Sequence, residues 1–102
     1  MSNGERRPYE WDIDKAAKNL KRHRISFDEA ATVFDDPLFL VISDPEHSAH
    51  ERRYVMMGES NQNRLLVVVY TEQPDAIRLI SARKATRRER REYEKAAKSS
   101  GR

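Results

Sequence analysis

The segment from Ser43 to Arg53, written SDPEHSAHERR, holds the densest group of side chains able to transfer protons. His47, His50 and Glu51 stand there beside Arg52. Imidazoles and carboxylates are the usual general acids and bases, and a loop held by flanking strands is a common place for catalysis. The alternative is a solvated loop. A zinc site on His47 and His50 would need a third ligand, which the sequence does not indicate.

A second group, at the C-terminal end, is cationic. Residues 78–102 carry 10 Lys and Arg against 3 Glu, whereas residues 1–77 carry 10 basic and 14 acidic residues. Arg83, Lys84, Arg87 and Arg88 stand where a strand should pass into a helix. Four cations at the positive end of a helix dipole are unfavourable unless an anion binds, which favours a phosphate site. Pairing of these cations with the nearby glutamates is the other interpretation.

The helices that position these residues are indicated by caps and apolar periodicity. Asp12 can cap a first helix whose apolar stripe is Ile13, Ala16, Ala17 and Leu20. A second helix should begin at a capping box formed by Ser26 and Glu29, and should end at Asp35-Asp36-Pro37. Thr86 and Glu89 form another capping box, which predicts a C-terminal helix over about residues 87–98.

Between these helices the apolar period changes to that of strands. Residues 38–43, 53–58, 64–71 and 77–83 are β-prone and separated by short turn-like links, so we expect a four-stranded antiparallel meander. The third strand, apolar on both faces, should be central. The fold class is therefore α+β, with two N-terminal helices, the sheet and a C-terminal helix. We expect residues 1–8 to be a disordered leader, 9–98 a single domain and 99–102 a tail.

Composition excludes several classes of protein. The chain has 102 residues, no cysteine and only three glycines, so disulfide frameworks, thiolate metal sites and glycine-rich phosphate loops are unavailable. The longest apolar run, Leu65 to Tyr70, is too short to cross a bilayer. We therefore expect a cytoplasmic protein that neither enters a membrane nor uses a cofactor.

Longer strings resemble the BrnT family of type II toxins. They are EWD at residues 10–12, NLKRH at 19–23 followed by ISFDEAATVFDDP, HS at 47–48, RLLVVVYTE at 64–72 and IRLISARKATRRERREYE at 77–94. One departure is Arg24, which stands where the family usually has Gly. The resemblance implies a RelE-like fold and an endoribonuclease. It also implies a BrnA-like antitoxin with a ribbon-helix-helix domain, through which alone operator DNA would be bound.

The resemblance does not place the catalytic residues, so we assign candidates from chemistry and position. Metal-independent RNA cleavage needs a base for the 2′-hydroxyl, cations for the phosphorane and an acid for the leaving 5′-oxygen. The catalytic candidates are His47, His50, Glu51, Arg52, Arg64, Tyr70, Arg83 and Arg87. The RNA-binding candidates are Lys21, His23, Lys84, Arg88, Arg90 and Arg91. A tyrosine on a strand, such as Tyr70, is more often a packing residue than an acid.

Two other functions stay open at this point. The chain could be a basic RNA- or DNA-binding module without catalysis, acting with a partner as a repressor. It could also be a metal-dependent hydrolase built on His47 and His50. Cleavage of RNA in the presence of a chelator would separate the enzyme from both alternatives.

Overall fold

A computed structural model describes residues 8–43 and 53–99 of this chain. Its elements are, in order, β1 (Tyr9–Glu10), α1 (Ile13–His23), α2 (Phe27–Ala31), a 3₁₀ turn (Thr32–Asp35), β2 (Leu40–Ser43), β3 (Arg53–Glu59), β4 (Leu65–Glu72), β5 (Ile77–Lys84) and α3 (Arg87–Ser99). Over those two ranges, no helix is long and apolar enough to cross a membrane.

The sheet has the strand order β1-β5-β4-β3-β2, with β4 at its centre. The four predicted strands pair antiparallel in sequence order, which confirms that part of the predicted meander. The prediction of a four-stranded, wholly antiparallel sheet is wrong, because β1 adds a fifth strand parallel to β5. The sequence pattern did not reveal β1, because a strand of two residues is too short to show alternating polarity. The backbone N–H of Ile77 also donates to the Pro8 carbonyl at 2.9 Å, so residue 8 is already attached to the sheet.

The main core lies between one face of the sheet and α2. Its fully buried side chains include Phe27 and Val33 from the helical side, and Leu66 and Val68 from β4. The burial of such apolar side chains is the main contribution that stabilises the fold of a small domain. The second predicted helix is interrupted, however: α2 spans only Phe27–Ala31 and tightens into the 3₁₀ turn before Asp36.

The opposite face of the sheet is covered more thinly. Met57, Leu65 and Val67 are buried there, with Tyr93 of α3 packed against them. The Tyr93 hydroxyl donates to Oδ2 of Asp36, and α3 has no fully buried residue. The C-terminal helix therefore attaches to the sheet along one edge.

A β-bulge changes which residues of β5 face the core. The register shifts between Val69 and Tyr70 of β4, so that Ile80 is an extra residue on β5. Leu79 and Ala82, three positions apart, are consequently both buried on the helical side. Side chains along β5 therefore do not alternate strictly between the two faces of the sheet.

The helix α1 is rotated away from the predicted orientation. Its expected apolar stripe is largely exposed, with Ile13 80% and Leu20 49% accessible, whereas Asn19 is buried. The Asn19 carboxamide accepts from the N–H of Ala82 at 3.1 Å and donates to the carbonyls of Ala82 and Ile25, both at 2.9 Å. Beyond its pairing with β1, β5 has no neighbouring strand on this side among the residues that the structure describes. A primary amide carries a donor and an acceptor like those of a peptide group, so Asn19 substitutes for a strand at this edge.

The backbone conformation at the end of α1 bears on the departure at position 24. Arg24 caps the helix with φ 62° and ψ 28°, in the left-handed region, and its N–H donates to the Leu20 carbonyl at 2.8 Å. Glycine adopts this conformation without steric cost, whereas a residue with a Cβ does not. The geometry at position 24 thus favours the glycine that the family usually has there.

Candidate functional site

The end of the sheet where β4 begins and β5 ends brings three cations together. Arg64, Lys84 and Arg90 line one open pocket of about 220 Å³, with Asn63 completing it on one side. The N–H of Ala85 donates to the Leu65 carbonyl at 2.9 Å, which keeps the two chain segments together beyond the strand pairing. Arg90 follows one helical turn after Thr86. A pocket with three cations in its wall is suited to an anion.

Arg64 is oriented by a buried acid. Its Nε donates to Oε2 of Glu29 at 2.9 Å and its Nη2 donates to Oε1, while Ser60 Oγ donates to Oε2 at 2.7 Å. The hydrogen bonds from Arg64 lower the pKa of Glu29, which therefore stays ionised at neutral pH. The capping box predicted at Ser26 is consequently only half formed. Ser26 Oγ accepts from the N–H of Glu29, but the Glu29 carboxylate is used by Arg64.

Arg83 is committed to a different carboxylate. Its Nη1 and Nη2 donate to Oε1 and Oε2 of Glu89, both at 2.9 Å, and Glu89 also closes the predicted capping box with Thr86. The hydrogen bonds from Arg83 lower the pKa of Glu89 to about 2. Of the two interpretations left open for Arg83, its geometry matches pairing with Glu89.

Arg87 and Arg88, in the first turn of α3, are exposed and make no ion pair with any described residue. Arg91 is also exposed, and Arg90 reaches Glu94 only at 4.0 Å. Unlike Arg83 of β5, which is paired with Glu89, the exposed arginines Arg87, Arg88 and Arg91 of α3 are therefore accessible to an anion from solution.

Tyr70 lies in the core on the helical side of the sheet. It is 4% accessible, its ring stacks on Tyr54 with centroids 5.5 Å apart, and Phe34 meets its edge at 4.9 Å. This placement matches the packing interpretation and gives Tyr70 no contact with the cationic pocket.

Four of the catalytic candidates lie outside the described residues: His47, His50, Glu51 and Arg52. The alternative of a zinc site on the two histidines is therefore not tested by the structure. The strands on either side of this segment end at Ser43 and Arg53. Because Arg53 is paired with Thr71 and Glu59 with Leu65, Arg53 is at the end of the sheet opposite the pocket. Six residue steps along β3 separate the two ends by about 20 Å. The described strand ends Ser43 and Arg53 therefore lie at the end of the sheet opposite the pocket.

Along α1 the structure places the predicted RNA-binding residue His23 beside three cations that were not predicted as site residues. Lys15, Lys18, Arg22 and His23 line a groove against Ile80 and Ser81 of β5, whereas the predicted RNA-binding residue Lys21 is exposed outside it. The 3- and 4-residue spacing of Lys15, Lys18 and Arg22 places them on one helical ridge, and that spacing was the available signal.

Comparison with known proteins adds independent findings. A family model described as "Ribonuclease toxin, BrnT, of type II toxin-antitoxin system" matches residues 11–89. The crystal structure of the Brucella abortus ribonuclease toxin BrnT is similar in fold, with a TM-score of 0.60 and 20% identity. The match covers 80% of this chain and 100% of that one. No curated protein sequence matches this chain. The likeness to RelE that the sequence suggested stays a prediction.

Proposed function

This chain belongs to the BrnT family of ribonuclease toxins of type II toxin–antitoxin systems, and from that premise we propose that it is a metal-independent endoribonuclease that arrests growth. The observation that carries the proposal is the pocket of Arg64, Lys84 and Arg90, in which a buried carboxylate fixes the orientation of one guanidinium. Preorganised cations stabilise the charge that develops on a phosphorane without reorganising during the reaction.

In this proposal the scissile phosphate lies in the pocket. Arg64 is held from behind by Glu29, and its Nη1 makes no hydrogen bond to a described residue. That nitrogen is therefore free to donate to a phosphate oxygen. Lys84 and Arg90 add two exposed charges, and Arg87 extends the cationic surface at the start of α3. Arg83 acts as a positioning residue, because its ion pair with Glu89 fixes the first turn of α3 beside the pocket.

The proposal also needs groups that transfer protons. His47, His50 and Glu51 are candidates by chemistry, and they lie outside the described residues. His23 is a further candidate close to the pocket, since it precedes Arg24, whose carbonyl accepts from Nη2 of Arg64 at 3.3 Å. His47→Ala, His50→Ala and His23→Ala would show which imidazole shapes the pH profile of cleavage.

Family membership implies a protein antitoxin. We propose that it is BrnA-like, with a ribbon-helix-helix domain that binds operator DNA, so that this chain contacts the operator only through its partner. The complex would act in the cytoplasm. Coexpression with the adjacent antitoxin gene should restore growth, and the two proteins should copurify.

The test of the enzyme is cleavage of RNA by purified protein in EDTA. We expect wild-type protein to cleave, and Lys84→Ala and Arg90→Ala to reduce the rate at least tenfold while circular dichroism stays unchanged. The matched controls are Lys95→Ala and Lys98→Ala, two exposed cations near the far end of α3 that should lose less than about twofold.

Three outcomes would contradict the proposal. If RNA stays intact with folded wild-type protein, the chain is not a ribonuclease under these conditions. If the protein binds RNA without cleaving it, the non-catalytic binding module is favoured. Equal small losses at all four positions would show a diffuse cationic surface rather than a pocket.

A further inference from the structure

The groove between α1 and the outer edge of β5 is a built feature of the fold. Lys15, Lys18, Arg22 and His23 form one wall, Ile80 and Ser81 form the other, and the open space measures about 250 Å³. The floor is closed by Asn19, whose carboxamide is bonded to both backbone groups of Ala82. These bonds fix the distance between the helix and the strand that form the two walls.

Among the described residues, the cations of this groove are only partly offset, by the attraction between Lys15 and the Asp12 carboxylate. Lys15, Lys18 and Arg22 lie on one ridge and span about 10 Å along the helix axis. None of the three makes an ion pair with a residue that the structure describes. Like charges at this spacing repel each other, so the row costs stability in the free protein. An anionic ligand along the row would relieve that cost.

The groove leads to the candidate phosphate pocket. At the end of α1, the carbonyl of Arg24 accepts from Nη2 of Arg64, which lines the pocket. On the strand side, Ala82 is bonded to Asn19 in the groove, and two residues later Lys84 lines the pocket. The two cationic sites are therefore adjacent on one side of the molecule.

We propose that this groove binds the sugar–phosphate backbone of a single-stranded RNA next to the phosphate held in the pocket. The inference rests on the proposed ribonuclease function and extends it to a residue set outside the pocket. Three regularly spaced cations follow a backbone of regularly spaced phosphates, and the half-buried His23 and the Ser81 hydroxyl offer hydrogen bonds to sugar or base. A narrow groove between a helix and a strand edge suits one strand better than a duplex.

The test measures binding to an RNA oligonucleotide whose 2′-hydroxyls are methylated, which removes the attacking nucleophile and separates binding from cleavage. The groove variant is Lys15→Ala/Lys18→Ala. The control is Lys95→Ala/Lys98→Ala, also two exposed lysines three apart on a helix. Fluorescence anisotropy would give Kd at salt concentrations fourfold apart.

Each lost phosphate contact reduces the salt slope of log K by about 0.7 for a single strand, so the groove variant should lose about 1.4. Over a fourfold salt range, wild-type affinity should then fall about sevenfold more than that of the groove variant. The control should keep the wild-type slope. An unchanged slope in the groove variant would overturn the proposal, and so would tighter binding of a duplex than of the single strand.

The design also separates this inference from the proposed function. If wild-type protein binds the methylated strand and only the groove variant loses slope, the groove binds RNA even where no cleavage is seen. If the protein cleaves RNA but the groove variant binds like wild type, the enzyme stands and the groove assignment fails.

Discussion

Replacing Asn19 with alanine should destabilise the fold more than any exposed substitution on α1. The change removes three hydrogen bonds of 2.9–3.1 Å and leaves two backbone groups of Ala82 and the carbonyl of Ile25 without this partner. Ala82 and Ile25 are both 0% accessible, so water cannot easily replace the amide. At about 1 kcal/mol for each lost bond, the free energy of unfolding should fall by about 3 kcal/mol. For a domain of this size that lowers Tm by roughly 12 to 24 °C.

Urea denaturation followed by circular dichroism measures this change directly. The matched control is Lys21→Ala, an exposed position two residues along the same helix, where the loss should stay within about 0.5 kcal/mol. A loss below about 1 kcal/mol for Asn19→Ala would refute the reasoning. It would mean that the edge of β5 finds other partners when the amide is removed.

Two further predictions concern the backbone and the response to acid. Arg24→Gly should raise the free energy of unfolding by about 0.5–1 kcal/mol in urea, because Arg24 is held at φ 62°; Asn63→Gly, at φ 61°, should gain less because asparagine tolerates this conformation. The pKa of Glu89 is lowered from 4.5 to about 2, so its stabilisation should be complete above about pH 4.5 and be lost as the pH falls towards 2. Glu89→Gln should flatten that part of the stability profile, and an unchanged profile would contradict the role of the Arg83 pair.

Local signals in the sequence were reliable where they depend on neighbouring residues. The caps at Asp12, Ser26 and Thr86 are all formed, because a side chain three positions from its backbone partner needs no tertiary information. The four longer strands and the central position of β4 also followed from periodicity.

Features that depend on distant residues could not be predicted in the same way. The orientation of α1 is set by Asn19 bonding to Ala82, 63 residues away, which outweighs the tendency of Ile13 and Leu20 to face inwards. The same holds for Glu29, whose carboxylate serves Arg64 rather than its own helix end. A cationic cluster was predicted where β5 passes into α3, but its residues differ from those that line the pocket. Arg64, which lies next to β4, lines the pocket together with Lys84 and Arg90.

The parallel pairing of β1 with β5 has a consequence for the timing of synthesis. A chain leaves the ribosome from its N-terminus, so Tyr9 is made long before Ile77, the residue opposite it. Lys84 and Arg90 of the candidate pocket are made later still. The pairing of β1 with β5 can therefore form only after β5 has been synthesised. Neither the complete sheet nor the pocket can form while most of the protein is still being translated. In the proposed function, the nascent chain therefore has no pocket for the scissile phosphate until its final segment has left the ribosome.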